Sequence, residues 1–65
     1  MNKKITNEDV RPIRDAMGVT QQQFAYRLNV SVRIVSMWET GKVTNIHPAN
    51  MSMLRTLKKK HIKGG

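Results

Sequence analysis

Cysteine is absent from the chain. That excludes disulfides and any Cys-based zinc site as sources of stability. Long apolar runs are also missing, and none approaches the roughly 18 residues of a membrane-spanning helix. The opening segment MNKKITNED lacks the apolar stretch of a secretory signal. The expected location is therefore cytoplasmic, with no membrane partner. Catalytic sets are missing too. There is no Cys nucleophile, no Gly-rich phosphate loop, and no Ser-His-Asp set on a scaffold large enough to hold it, so no enzyme is expected. The 2 histidines lie far apart in sequence, without acids at ligand spacing, so no metal or other cofactor is expected. Acidic residues are scarce, at 4 against 12 Lys and Arg.

The 65 residues suffice for one domain. A domain this small buries only about 60% of its unfolded surface, so close helix packing, with or without a second subunit, must supply stability. The net charge of +8 is unevenly placed. Residues 1–15 set Lys3, Lys4, Arg11 and Arg14 against Glu8, Asp9 and Asp15, a balance of +1. From Ala16 onward, Arg27, Arg33, Lys42, Arg55, Lys58, Lys59, Lys60 and Lys63 face only Glu39, a balance of +7. A polyanionic partner follows naturally. Anionic lipid fits less well, because the basic part forms no clean amphipathic helix.

The pattern predicts an all-α domain of four short helices over residues 6–60, with a flexible arm at 1–5 and a disordered tail at 61–65. Thr6-Asn7-Glu8-Asp9 reads as a helix start, with acids facing the positive helix end. Val10, Ile13, Met17 and Val19 form its apolar face. Pro12 is tolerable only in the first turn or at a kink, and Gly18 suits the left-handed cap. Thr20 and Ser31 are N-caps for helices over Gln21–Leu28 and Val32–Thr40. Asn29 can enter the left-handed region at modest cost and reverse the chain between them. Gly41 caps the third helix. Of Val43 and Ile46, at least one should tuck under the domain. Pro48 opens a fourth helix at its first position, with Met51, Leu54 and Leu57 toward the core and Met53 beside them.

Helix, short turn, helix is the helix-turn-helix unit. The run Thr20-Gln21, Phe24-Ala25, Leu28-Asn29-Val30-Ser31, then Val35-Ser36-Met37-Trp38-Glu39-Thr40-Gly41-Lys42, with Arg14 upstream, resembles the phage-repressor and Cro type of helix-turn-helix domain (lambda-repressor-like). The resemblance spans about Val10 to Leu57. It departs at Asn29, where the family usually has Gly, and at Val32 and Met37, groove-facing positions that are often polar.

The resemblance implies sequence-specific binding of double-stranded DNA by a transcriptional regulator, most often a repressor. The third helix would lie in the major groove, and two copies would sit on one site as a homodimer. The expected DNA-contact set is Gln21, Ser31, Val32, Arg33, Ser36, Met37, Thr40 and Lys42. Gln21 would hold its helix against the DNA backbone, where a helix N-terminus favours anions. Val32, Arg33, Ser36 and Met37 share one outward face, opposite Val35 and Trp38. Arg33 can take both acceptors of a guanine or serve a phosphate. Val32 and Met37 can meet thymine methyls or be plain surface residues, and Met37 could touch a second subunit. Ser36 can reach DNA or bond back to its own helix. Thr40 and Lys42 suit phosphate. Arg27 is open between solvent, phosphate and partner; Lys58, Lys59 and Lys60 between a solvated run and a flanking phosphate contact. The resemblance also pairs Arg14 with Glu39 as a partly buried salt bridge. Three alternatives remain: an antitoxin-type regulator that also binds a toxin protein, suggested by the Trp-Glu-x-Gly pattern followed by Pro48; a protein-interaction adaptor; and RNA or membrane-surface binding, which would show no preference for one duplex sequence.

Overall fold

The computed structural model describes residues 5–62. After a short 3-10 turn, Asn7–Asp9, come α1 (Val10–Met17), α2 (Gln21–Leu28), α3 (Val32–Thr40) and α4 (Pro48–His61). No strand occurs among the described residues. The fold is all-α, as expected. The Cα extents are 30 × 23 × 19 Å.

One local pattern starts α2, α3, α4 and the 3-10 turn that leads into α1: an apolar residue, a capping residue, three residues, then a second apolar residue. The pairs are Ile5 and Val10 around Thr6, Val19 and Phe24 around Thr20, Val30 and Val35 around Ser31, and Ile46 and Met51 around His47. Each cap side chain accepts a backbone N–H of the first turn: Thr6 from Glu8, Thr20 from Gln23, Ser31 from Ile34 and His47 from Ala49. The two apolar positions are those of a hydrophobic staple, which fixes the angle at which the chain enters a helix. All eight lie in the core or pack against it. Thr6 and Thr20 also complete capping boxes, with Asp9 and Gln23 reaching back.

The helix ends match their residues. Gly18, Asn29 and Gly41 have φ of 71°, 60° and 82°, the left-handed cap conformation. Pro12 is the third residue of α1. Its missing N–H falls where the 3-10 turn hands over to the α-helix, so no mid-helix bond is lost.

Phe24, Ile13, Leu54, Val10 and Val35 are the largest fully buried side chains. Deleting a buried Phe side chain costs about 3–5 kcal/mol. Trp38 is 2% exposed, and its indole N–H donates to Asn45 O at 3.0 Å. Trp38 is a core residue whose polar edge is satisfied. Ile46 is buried, and Val43 packs against the core from its edge. Met53 is 43% exposed and stands outside.

At the two ends, Ile5 is buried and supplies the outer half of the first staple; residues 1–4 lie outside the described residues. α4 runs through His61, and Ile62 packs against the core. Residues 63–65 lie outside the described residues.

Candidate nucleic-acid interface

Packing between α2 and α3 is the most extensive between any two helices. It leaves the opposite side of α3 facing outward. Gln21, Val32, Arg33, Ser36, Met37, Thr40 and Lys42 line one shallow groove there. Seven of the eight residues expected at the interface thus meet on one surface. Ser31 does not line the groove. Its Oγ accepts from Ile34 N at 3.2 Å, which makes it the cap that starts α3.

Exposure varies along this face. Val32 is 44% exposed, Arg33, Thr40 and Lys42 are exposed, and Ser36 and Met37 are half-buried. Thr40 Oγ1 donates to Met37 O at 3.3 Å. The back-bond considered for Ser36 is thus made by Thr40, and Ser36 keeps its hydroxyl for an outside partner.

Beneath the groove lies the salt bridge. Arg14 Nε donates to Glu39 Oε2 at 2.7 Å and Arg14 Nη2 to Glu39 Oε1 at 3.1 Å. A bidentate pair is among the stronger charge-assisted arrangements. The third guanidinium nitrogen, Nη1, donates to Val19 O at 3.1 Å. One side chain therefore ties α1 to the turn before α2 and to α3. The Glu39 side chain is only 6% exposed and that of Arg14 15%. Burial alone would raise the Glu39 carboxyl, but hydrogen bonds from Arg14 and Gln21 and the charges of Arg14 and Arg11 hold it below its ordinary value. The hydrogen bond to Glu39 raises Arg14 further, against a smaller opposing effect of burial.

The electrostatic result is one-sided. The lone acid of the basic half is buried and neutralised by Arg14, so Arg33 and Lys42 give the groove its charge. Water-facing cations over low-dielectric walls favour a polyanion.

Gln21 lines the groove and is also bonded to the salt bridge. Its amide Nε2 donates to Glu39 Oε1 at 3.0 Å. The side chain is half-buried, with one amide hydrogen on the salt bridge at the groove's edge. The backbone N–H groups of Gln21 and Gln22, the first two of α2, have no acceptor within the helix and remain to meet an anion.

Other polar contacts have no local signal. Asn7 Nδ2 donates to Trp38 O at 3.0 Å, fastening the 3-10 turn to the end of α3. Lys58 Nζ donates to Asp9 Oδ1 at 3.1 Å, so Lys58 is spent on α4 packing while Lys59 and Lys60 stay exposed. Arg27 lies with Val19, Thr20, Gln22, Gln23 and Tyr26 along a second shallow groove, where Tyr26 is 88% exposed. Among the described residues no group of three His, Cys, Asp or Glu assembles as a metal site. No helix there is long and apolar enough to cross a membrane.

A family model described as Helix-turn-helix matches residues 10–56. The chain belongs to this family, the Cro/C1 type of helix-turn-helix protein. It is a family of DNA-binding regulators. Comparison with curated proteins finds no match, and neither does comparison with solved structures.

Proposed function

We propose that the chain is a sequence-specific regulator of transcription, a repressor in the cytoplasm, that seats α3 in the major groove of double-stranded DNA. One observation carries this reading: the outward side of α3 and the N-terminus of α2 form a single positively charged groove. An α-helix with its side chains is about 10–12 Å across, which matches the roughly 12 Å width of B-DNA's major groove.

Contacts divide into two kinds. The amides at the start of α2, Gln21 and Lys42 hold phosphates and set the pose, and Thr40 joins them by turning its hydroxyl hydrogen from Met37 O to a phosphate oxygen. Arg33 reads a guanine through its planar fork, Val32 and Met37 meet thymine methyls, and Ser36 takes a base edge. Ser31 acts through the cap that aims α3. A single domain makes a small interface, so two copies bind half-sites about 34 Å apart. The longest extent of the domain, 30 Å, lets two copies lie side by side at that spacing. Exposed α4 positions such as Met53 are the proposed dimer contact.

The test is binding to duplex DNA across a salt series. The logarithm of affinity should fall linearly with the logarithm of salt, with a slope near −0.9 per phosphate neutralised. A flat response would contradict the proposed contacts.

A second reading adds a protein partner, a toxin or another small protein, to the same regulator. The groove beside Tyr26 on α2 favours it, because an 88% exposed tyrosine offers both an apolar face and a hydroxyl. Co-purification of a partner with the native protein, lost in Tyr26→Ala, would support it.

A further inference from the structure

We infer that Glu39 is a positioning residue for DNA binding: it holds the Gln21 amide in one sense at the edge of the recognition groove. The inference rests on the reading of that groove as the DNA face.

Glu39 is a carboxylate and accepts only, whereas a Gln amide donates from nitrogen and accepts at oxygen. A Gln beside an ionised Glu must therefore present Nε2 to it. The 3.0 Å bond from Gln21 Nε2 to Glu39 Oε1 has this consequence. With one Nε2 hydrogen committed, the sense of the whole amide is set. The second Nε2 hydrogen is left as the donor that a phosphate oxygen requires. In the opposite sense Oε1 would replace it and repel the phosphate.

Glu39 can do this because it is itself immobile. Its oxygens take two bonds from Arg14, at 2.7 and 3.1 Å, and its side chain is 6% exposed. Arg14 is anchored in turn on Val19 O at 3.1 Å, next to Thr20, the cap of α2. Gln21, on α2, and Glu39, on α3, are 18 positions apart. The relay Arg14–Glu39–Gln21 thus sets the start of α2 relative to α3. These are the two elements that must meet phosphate and bases in register. A groove edge held this way is preorganised, so less order is lost on binding.

A structural role for Glu39 predicts only lower stability when it is removed. Positioning predicts coupling to Gln21 in DNA affinity. The test compares Gln21→Ala in the native protein with Gln21→Ala in an Arg14→Met/Glu39→Met background. An apolar pair often replaces a buried ion pair without loss of stability, and circular dichroism confirms folding. In the native protein Gln21→Ala should weaken binding to a selected duplex about tenfold, the range for a hydrogen bond to a charged group. The salt slope should hold, because no cation is removed. In the double-Met background the same substitution should cost less than about threefold. Equal losses in both backgrounds would overturn the proposal.

Should the double-Met protein not fold, the native protein still decides. In NMR spectra one Gln21 side-chain amide proton should exchange with water more slowly than those of exposed Gln22. Identical exchange would overturn the proposal. A failure of the DNA reading looks different: Arg33→Ala and Lys42→Ala would then leave duplex binding unchanged with the relay intact, which removes the DNA face and the proposal together.

Discussion

Lys58 Nζ and Asp9 Oδ1 lie 3.1 Å apart, joining the last turns of α4 to the segment that opens the domain. Their side chains are 25% and 23% exposed. This contact singles out one lysine from a run of three as structural. Lys58→Ala should lower stability by about 1 kcal/mol or less and leave the salt dependence of DNA binding unchanged. Lys42→Ala, on the groove, should leave stability alone and make the salt slope shallower by about 0.9. Equal effects of the two on the slope would move the DNA face toward α4.

Arg14 and Glu39 should depend on each other for stability. Arg14→Ala or Glu39→Ala strands a largely buried charge and should cost up to about 3 kcal/mol. In so small a domain that corresponds to a fall of up to about 15 °C in melting temperature. Replacing both by Met should recover most of the loss. Thermal melts followed by circular dichroism read all three, and single variants that melt like the native protein would contradict the geometry.

Acid should act through the same carboxylate. The Glu39 value is lowered in the folded protein from its ordinary 4.5. With the folded value below the unfolded one, the unfolded chain binds more protons in that window. The stabilisation is therefore complete above about 4.5 and is lost as pH falls through the folded value. Urea titrations between pH 7 and 3 should show stability declining below the ordinary carboxylate range, and the decline should be shallower in Arg14→Met/Glu39→Met. An identical pH profile in that variant would rule out Glu39 as the source.

Asn29 holds φ 60° and ψ 44° between α2 and α3, and its neighbour Val30 donates to Ala25 O at 2.9 Å to close the helix end. Asn29→Ala should cost about 1 kcal/mol, the left-handed penalty of a side chain without Asn's local bonding. Asn29→Gly should stay within about 0.5 kcal/mol, because relief of strain offsets the greater freedom of the unfolded chain. A melting series across the three residues checks the order.

Much of the fold was legible from short-range chemistry. Thr20, Ser31, Gly18, Asn29, Gly41 and Pro48 each mark a helix end by a property of the residue itself, and each sits at such an end. The Arg14–Glu39 pair came from resemblance, since nothing local links residues 25 positions apart. The repeated staple was readable too: Ile5 stands one position before Thr6 as Val19 stands before Thr20, and that spacing assigns Ile5 to the core. Other features had no sequence signal. Lys58 on Asp9 spans 49 positions and depends on how α4 crosses the opening turn. The Gln21 amide bonds to the salt bridge only because Glu39 offers an acceptor from another helix. Polar side chains find such partners after the apolar core has set the helix angles, so local patterns carry no record of them.

The most direct test of α3 as the reading element is selection of bound duplexes from a random pool, run in parallel on the native protein and on Arg33→Ala. The native protein should enrich a two-fold symmetric site with half-sites about one helical turn, roughly 34 Å, apart. Arg33→Ala should enrich the same site with one base pair per half no longer specified. Enrichment of no sequence by the native protein, or of an identical site by both proteins, would contradict base reading by the outward side of α3.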